Sequence, residues 1–197
     1  KFCTFCIVPF TRGRERSRSI DGIISEVKNA VKDGFSEVTL LGQNVNSYNY
    51  DGSKFHVLLE KLVKVNGLKR LRYTSPHPQD ITIELLAVMA KYDNICNSIH
   101  LPLQSGSDRI LKRMNRSYTR DHFINIARTI REILPNAGIS TDIIVGFPGE
   151  SEKDFVETMS VMEEVNFDSA YTFKYSPRKG TKASEYEDQI SDEVKQN

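Results

Sequence analysis

Residues 139–165 read ISTDIIVGFPGESEKDFVETMSVMEEV. Ile139 to Val145 is a mostly apolar, β-branched run of strand length, and Gly146-Phe147-Pro148-Gly149 breaks it. Ser151, with Asp154 three residues later, has the form of a capping box, and Phe155, Met159, Met162 and Val165 continue at helical spacing. The stretch is therefore a buried strand, a tight loop and an amphipathic helix in direct succession.

The same order repeats outward in both directions. Toward the N-terminus, Ile20, Ile23, Ile24, Val27, Ala30 and Val31 predict a helix over 19–33 that Gly34 stops, followed by a strand over 38–41. Asn46, Asn49, Asp51 and Gly52 then mark a loop. Phe55, Leu58, Leu59, Leu62 and Val63 form a helical stripe halted by Gly67, and a strand over 71–74 ends at Pro76 and Pro78. A helix over 82–92, a strand over 98–103, a short helix over 108–114 and a helix from Phe123 to its stop at Pro135 lead back to the quoted unit. Beyond it, Ala170 to Tyr175 is the fifth strand. No hairpin signal is read, so the order argues for an α/β fold with a parallel sheet covered by helices.

Periodicity leaves a barrel and a doubly wound sheet equally open. The loops favour the barrel. Each strand ends at its carboxyl side in a polar or glycine-rich cluster: Gly42-Gln43-Asn44, Ser75-Pro76-His77, Gln104-Ser105-Gly106, Gly146 to Gly149, and Ser176-Pro177-Arg178. In α/β folds that end carries the ligand, and five such loops suit one rim. Five strands are too few for a closed eight-stranded ring, so a partial barrel is expected.

The chain has 197 residues, 39% hydrophobic and 27% charged, which is enough for one sizeable core. No apolar run approaches the roughly 20 residues of a membrane span. Three cysteines without regular pairing exclude a disulfide framework and a disulfide partner, and point to a reducing, cytoplasmic setting. Cys96, before the third strand, reads as a core residue.

Chemistry enters at Cys3-Thr4-Phe5-Cys6, where two thiols on one tight loop suit zinc or an iron-sulfur cluster. Zinc requires a second Cys/His pair, whereas His56, His77, His100 and His122 are scattered singly. Pro9 and Gly13 make the residues after Cys6 a loop, which argues against a thioredoxin-type dithiol. The net charge of +1 conceals an asymmetry: Arg12, Arg14, Arg16 and Arg18 alternate near one end, while Glu185, Glu187, Asp188, Asp192 and Glu193 crowd the other. In an extended loop the arginines would align on one side about 7 Å apart, near the spacing of nucleic-acid phosphates. The alternative is a solvated loop with Glu15 and nearby acids as partners.

Cys3-Thr4-Phe5-Cys6 resembles the last two cysteines of the radical S-adenosylmethionine signature C-x3-C-x2-C, with Phe5 as the aromatic before the third cysteine. Ile7 to Arg18, Leu40 to Tyr48, Thr74 to Pro78, His100 to Asp108 and Asp142 to Glu150 resemble, together, the central domain of the radical S-adenosylmethionine methylthiotransferases. Gly42-Gln43-Asn44-Val45-Asn46 points to the tRNA branch, the MiaB-like enzymes. The resemblance covers essentially the whole chain.

That resemblance implies a six-stranded partial (β/α)6 TIM-like barrel over 1–182, with the first strand and first cysteine lying before Lys1. It implies that 183–197 is an acidic helical tail leading to a C-terminal RNA-binding domain. The implied reaction is insertion of a methylthio group at C2 of an isopentenylated adenosine beside the tRNA anticodon, through a deoxyadenosyl radical. The implied cofactors are a [4Fe-4S] cluster, S-adenosylmethionine, and an auxiliary [4Fe-4S] cluster in an upstream domain. Cys3 and Cys6 would be cluster ligands, and Phe5 would pack near the adenine. Gln43 and Asn44 would lie near the methionine end, and Gln104, Ser105 and Asp142 near the ribose and amino groups. The alternative for Gln43 and Gln104 is to cap buried strand ends, and Asp142 could equally be a buried, satisfied barrel carboxylate. Arg12, Arg14, Arg16 and Arg18 would touch RNA. A tRNA substrate and a flavodoxin-like or similar electron donor would be the partners, and this chain alone would be inactive. Rival readings are methylthiolation of threonylcarbamoyl-adenosine tRNA, or of a ribosomal-protein aspartate. A non-catalytic, zinc-stabilised nucleic-acid-binding domain is the reading from a different class.

Overall fold

The computed structural model describes residues 3–196. Its elements in chain order are α1 (Val8–Arg12), α2 (Ile20–Lys32), β1 (Glu37–Leu40), β2 (Asn49–Tyr50), β3 (Ser53–Lys54), α3 (Phe55–Leu62), β4 (Arg70–Tyr73), α4 (Ile83–Lys91), β5 (Ser98–His100), α5 (Asp108–Arg113), α6 (Arg120–Ile133), β6 (Gly138–Val145), α7 (Glu152–Val165), β7 (Ser169–Lys174) and α8 (Asp192–Gln196). The five expected strands and their intervening helices are all present. Among the described residues no helix is long and apolar enough to cross a membrane.

The chain divides into two compact units. One comprises residues 1–14, 102–128 and 140–197, the other 15–101 and 129–139. In the second unit, β1 pairs in parallel with β4, in a register that sets Val38 beside Leu71 and Leu40 beside Tyr73. The apolar stripes of α3 and α4 pack on each other, and Leu58, Leu59, Leu62, Leu85, Leu86 and Met89 are all buried. Each such side chain contributes about 1.5–3 kcal/mol of apolar burial. Helix α2 starts where Ser19 Oγ accepts from the Gly22 amide at 3.3 Å. It stops in a Schellman turn: Gly34, at φ +96°, and Phe35 donate to the carbonyls of Val31 and Ala30.

Four expectations fail for local reasons. Asp51 and Gly52 do form a hairpin, closing the antiparallel pair of β2 and β3. Both take positive φ, 48° and 79°, as a two-residue Asp-Gly connection demands. The residues after Cys6 are not loop throughout, because Val8–Arg12 is helical with Pro9 in its first turn, where proline costs no hydrogen bond. The third strand is also shorter than expected, and Cys96 is half-buried with its Sγ 3.4 Å from Arg72 Nε.

In the first unit, β6 and β7 pair in parallel from Ser140–Ser169 to Val145–Lys174. Helix α7 carries the full capping box, Ser151 and Asp154 each satisfying the other's backbone amide. The core gathers Ile110, Met114, Phe147, Tyr175 and Ala183, with Phe5, Ile144 and Tyr186 packed against it. The loop after β5 lies directly on α7. A Cβ on Gly106 would stand 2.5 Å from Thr158 Cα and 2.6 Å from the Glu157 carbonyl oxygen. Both are backbone atoms that cannot step aside. Gly106→Ala is therefore expected to destabilise the protein by about 1–3 kcal/mol, read as a lower urea midpoint.

Candidate cofactor site

The cysteine loop is a β-turn in which the Cys6 amide donates to the Cys3 carbonyl at 3.1 Å, so both thiols leave one tight bend. Thr4, between them, anchors it. Its amide donates to the Met114 carbonyl at 3.1 Å, its hydroxyl donates to the Arg113 carbonyl at 2.9 Å, and its carbonyl accepts from the Ala183 amide at 2.9 Å. Residues 183–189 close this side of the unit. Tyr186 Oη reaches the Arg113 carbonyl, Arg113 sits over the Tyr186 ring, and Asp188 accepts both contacts of Arg113 Nη2 at 2.7 and 2.9 Å.

Phe5 turns inward from the same loop. It meets Phe147 edge-on at 6.3 Å, so the aromatic between the cysteines fastens the turn to the core. Cys3 and Cys6 line a cavity of about 390 Å³ whose wall also carries Lys112, Arg113 and Lys182. Both cysteines are free and half-buried. Among the described residues no three His, Cys, Asp or Glu side chains converge on one point. A closed four-ligand zinc site is therefore not assembled from them. Two thiolates from one turn, facing cationic side chains, do fit part of the ligand set of a negatively charged iron-sulfur cluster.

Three further residues expected at the site belong to this unit. Gln104 takes φ +69° and is knit into β6 by its backbone, its amide donating to the Asp142 carbonyl at 2.8 Å and its carbonyl accepting from Ile144 at 2.9 Å. Asp142 lies on the same face of β6 as Ile144, which packs, like Phe5, on the Phe147 cluster. Ser105 is wholly buried, and its hydroxyl serves the loop itself, accepting from the Ser107 amide at 3.2 Å and lying 3.4 Å from Thr158 Oγ1.

Gln43 and Asn44 belong to the other unit. Gln43 is exposed, and Asn44 Nδ2 donates to Asp80 at 2.8 Å. Asn46, two residues on and given no site role in the sequence reading, is the buried one. It clamps the backbone of His77 from both sides, donating to the carbonyl at 3.1 Å and accepting from the amide at 2.8 Å. His77 in turn accepts from the Gln79 amide through Nδ1, capping a short 3-10 turn.

The four arginines do not form one extended row. Arg12 closes α1, and Gly13 follows at φ +74°. Arg14, Arg16 and Arg18 lie in irregular backbone and are exposed. Arg18 pairs with Glu26 at 2.5 Å, while Glu15 instead accepts from Ser47.

The turn from Gly146 to Glu150 is held by its own glutamate. Glu150 Oε2 accepts from the Gly146 amide at 2.5 Å, and its amide donates to the Phe147 carbonyl at 2.8 Å. Burial raises the Glu150 carboxyl from its ordinary 4.5 to about 7, against the opposing pull of the Gly146 amide. Between those values the folded chain holds a proton that the unfolded chain has lost. The contribution to stability is thus present below pH 4.5 and lost as the pH rises through about 7. Glu150→Gln should flatten that slope. In urea unfolding the wild type should lose on the order of 2 kcal/mol more than the variant between about pH 5 and pH 8.

Comparison with known proteins agrees with this geometry. The model of the radical SAM superfamily matches residues 1–162. A tRNA-2-methylthio-N(6)-dimethylallyladenosine synthase of Clostridium botulinum is 52% identical over 197 residues, covering 98% of this chain and 44% of the relative. One of the same name from Acetivibrio thermocellus is 51% identical, covering 98% of this chain and 41% of the relative. The chain thus spans less than half the length of the curated relatives it matches. Among solved structures, the radical S-adenosylmethionine methyltransferase TsrM of Kitasatospora setae aligns over 93% of this chain and 36% of its own, with TM-score 0.76 and 16% identity. Coproporphyrinogen III oxidase (HemN) of Escherichia coli aligns over 100% of this chain and 47% of its own, with TM-score 0.69 and 17% identity. These likenesses show the fold: a parallel α/β partial barrel of the TIM-like kind, as the rim loops predicted. With the superfamily match running from the cysteine turn through β6 and into α7, most of its length, the chain belongs to the radical SAM superfamily.

Proposed function

We propose that this chain is the radical SAM portion of a tRNA methylthiotransferase, one that adds a methylthio group at C2 of an isopentenylated adenosine. The observation that carries it is identity of 51–52% over 98% of the chain to relatives bearing that activity in their names. Cys3 and Cys6 hold a [4Fe-4S] cluster, with a further thiolate supplied from before Lys1. When bound, the cluster and S-adenosylmethionine supply reductive cleavage of a sulfonium carbon-sulfur bond and the radical chemistry that follows.

The chain's own residues do the positioning. The Thr4 anchor and Phe5 fix the cysteine turn, and Lys112, Arg113 and Lys182 offset the negative charge held there. Gln104 and Asp142 face S-adenosylmethionine, Ser105 shapes the loop that presents Gln104, and Gln43 and Asn44, in the loop after β1, are the further candidates. Arg12, Arg14, Arg16 and Arg18 meet the RNA backbone, where exposed guanidiniums gain most. The longer protein brings an auxiliary cluster in an upstream domain, an RNA-binding domain after residue 197, and a flavodoxin-like or similar electron donor, and it works in the cytoplasm.

The test is to incubate the full-length protein anaerobically, with reductant and S-adenosylmethionine, with tRNA that carries or lacks the isopentenyl group, and to digest the product for mass spectrometry. Methylthio-adenosine from the isopentenylated tRNA alone is expected. Modification of threonylcarbamoyl-adenosine tRNA or of a ribosomal-protein aspartate instead would move the chain to a sister activity.

A further inference from the structure

Among the described residues, Arg116 is a cationic side chain that hydrogen-bonds a cysteine of the turn. Its Nη1 lies 3.3 Å from Cys3 Sγ. Its place is fixed by the way α5 ends. Asn115 takes φ +58°, and the amides of Asn115 and Arg116 donate to the carbonyls of Lys112 and Leu111 at 3.0 and 2.9 Å. These two bonds are a Schellman motif, and they deliver Arg116 at the position where the chain turns back across the helix end. The guanidinium is then held between two rings, 5.8 Å from the centroid of Phe5 and 5.6 Å from that of Tyr118. Tyr118 is itself buried and fixed, its hydroxyl donating to the carbonyl of Pro102 or Leu103. A half-buried guanidinium with its rotamer set by a helix cap and two aromatics is a pre-organised donor, unlike the exposed Lys112 and Lys182.

We infer that Arg116 is a positioning residue for the cluster, holding the Cys3 sulfur by a charge-assisted hydrogen bond and raising the reduction potential of the group bound there. This rests on the proposed cluster ligation by Cys3. The physical basis is general: a donor and a positive charge at a ligand sulfur stabilise the more negative, reduced state, and hydrogen bonds to sulfur are among the determinants of cluster potential. Because Arg116 also contacts Phe5, the residue between the two cysteines, it couples the turn's geometry to its electrostatics.

The experiment uses the full-length protein, reconstituted anaerobically, with iron and sulfide content measured, and with the midpoint potential of the cluster whose signal is lost in Cys3→Ala followed by electron paramagnetic resonance in a dye-mediated titration. Arg116→Met should bind iron yet be harder to reduce, by about tenfold in the reduction equilibrium, which is about 59 mV for one electron. Arg116→Lys should recover most of that, since it keeps the charge. Should Arg116→Met not fold, Arg116→Gln carries the same readout, because it keeps a donor but drops the charge. Full iron content with an unchanged potential in the charge-free variant overturns the inference and leaves the cluster assignment intact. Failure of the wild type itself to bind iron and sulfide overturns both.

Discussion

Asp154→Ala should lower the unfolding free energy by about 3 kcal/mol, one of the largest effects of any single substitution in the first unit. Asp154 is 4% exposed and stands where three segments meet. Its Oδ1 accepts from Ser107 Oγ at 2.6 Å and Arg109 Nε at 3.2 Å, and its Oδ2 accepts from Arg109 Nη2 and from the Ser151 amide at 2.8 Å. Truncation leaves these donors without their acceptor. The half-exposed side chain of Arg109 can regain water, which keeps the cost below the upper range for a buried pair.

The same network has a pH signature opposite to that of Glu150. Burial opposes ionisation of Asp154, but hydrogen bonds from Arg109, Ser107 and Ser151 outweigh it and hold the carboxyl well below the ordinary aspartate value of 3.8. Its contribution is therefore present above that value and lost as the pH falls through the lowered one. Acid unfolding followed by circular dichroism should show a transition that moves to higher pH in Asp154→Asn, where an amide meets donors with a donor of its own. This carboxylate joins two loops of the first unit. Residues 104–107 and the turn 146–150 are both fastened to the start of α7, and Gln104 rides on the first of them.

The second large effect concerns the turn. Cys3→Ala and Cys6→Ala, each in the full-length protein, should lose one cluster's worth of iron and sulfide, roughly half of the total when the auxiliary cluster stays loaded, since losing a ligand costs more than losing a partner of a ligand. The melting temperature should change little, because Thr4 and Phe5, not the thiols, fasten the turn to Met114, Arg113, Ala183 and Phe147. Iron content equal to wild type in both variants would remove these cysteines from the ligand set.

Much of this was legible in the sequence because it is periodic or local. The stripe from Ile20 to Val31, the Ser151–Asp154 box and the β-branched run before Gly146 each report a structure made by neighbours in the chain, and each appears within a residue or two of its expected bounds. The rim loops were legible for a similar reason, since strand ends must leave the sheet. What escaped was of two kinds. Some elements are too short to show a period: β2 and β3 have two residues each, and the five residues of α1 begin with a proline-bearing turn that reads as a breaker. Other features are contacts between residues remote in sequence. Arg116 and Cys3 are 113 positions apart, Tyr186 and Arg113 are 73, and Ser107 and Asp154 are 47. Nothing in the spacing around Arg116 distinguishes it from Arg113. Only the Schellman turn at Asn115 does so, and asparagine before a basic residue is a weak signal of that geometry.

Ser105 illustrates the remaining difficulty. A serine in a rim loop invites a ligand role, yet a hydroxyl at zero exposure beside Thr158 and Ser107 spends its hydrogen bonds on holding the loop. Asn46 is the converse case, a loop asparagine whose two amide atoms both serve the backbone of His77. Residue type at a strand end therefore does not by itself separate a side chain that presents a ligand from one that holds the loop.

The most direct measurement is the release of 5′-deoxyadenosine from S-adenosylmethionine by the anaerobically reconstituted full-length protein under a strong reductant, with Cys3→Ala as the control. Formation by the wild type and its loss in the variant is the predicted result. Iron-loaded wild-type protein that forms none, or a Cys3→Ala variant that forms as much, would contradict the cofactor site described for this turn.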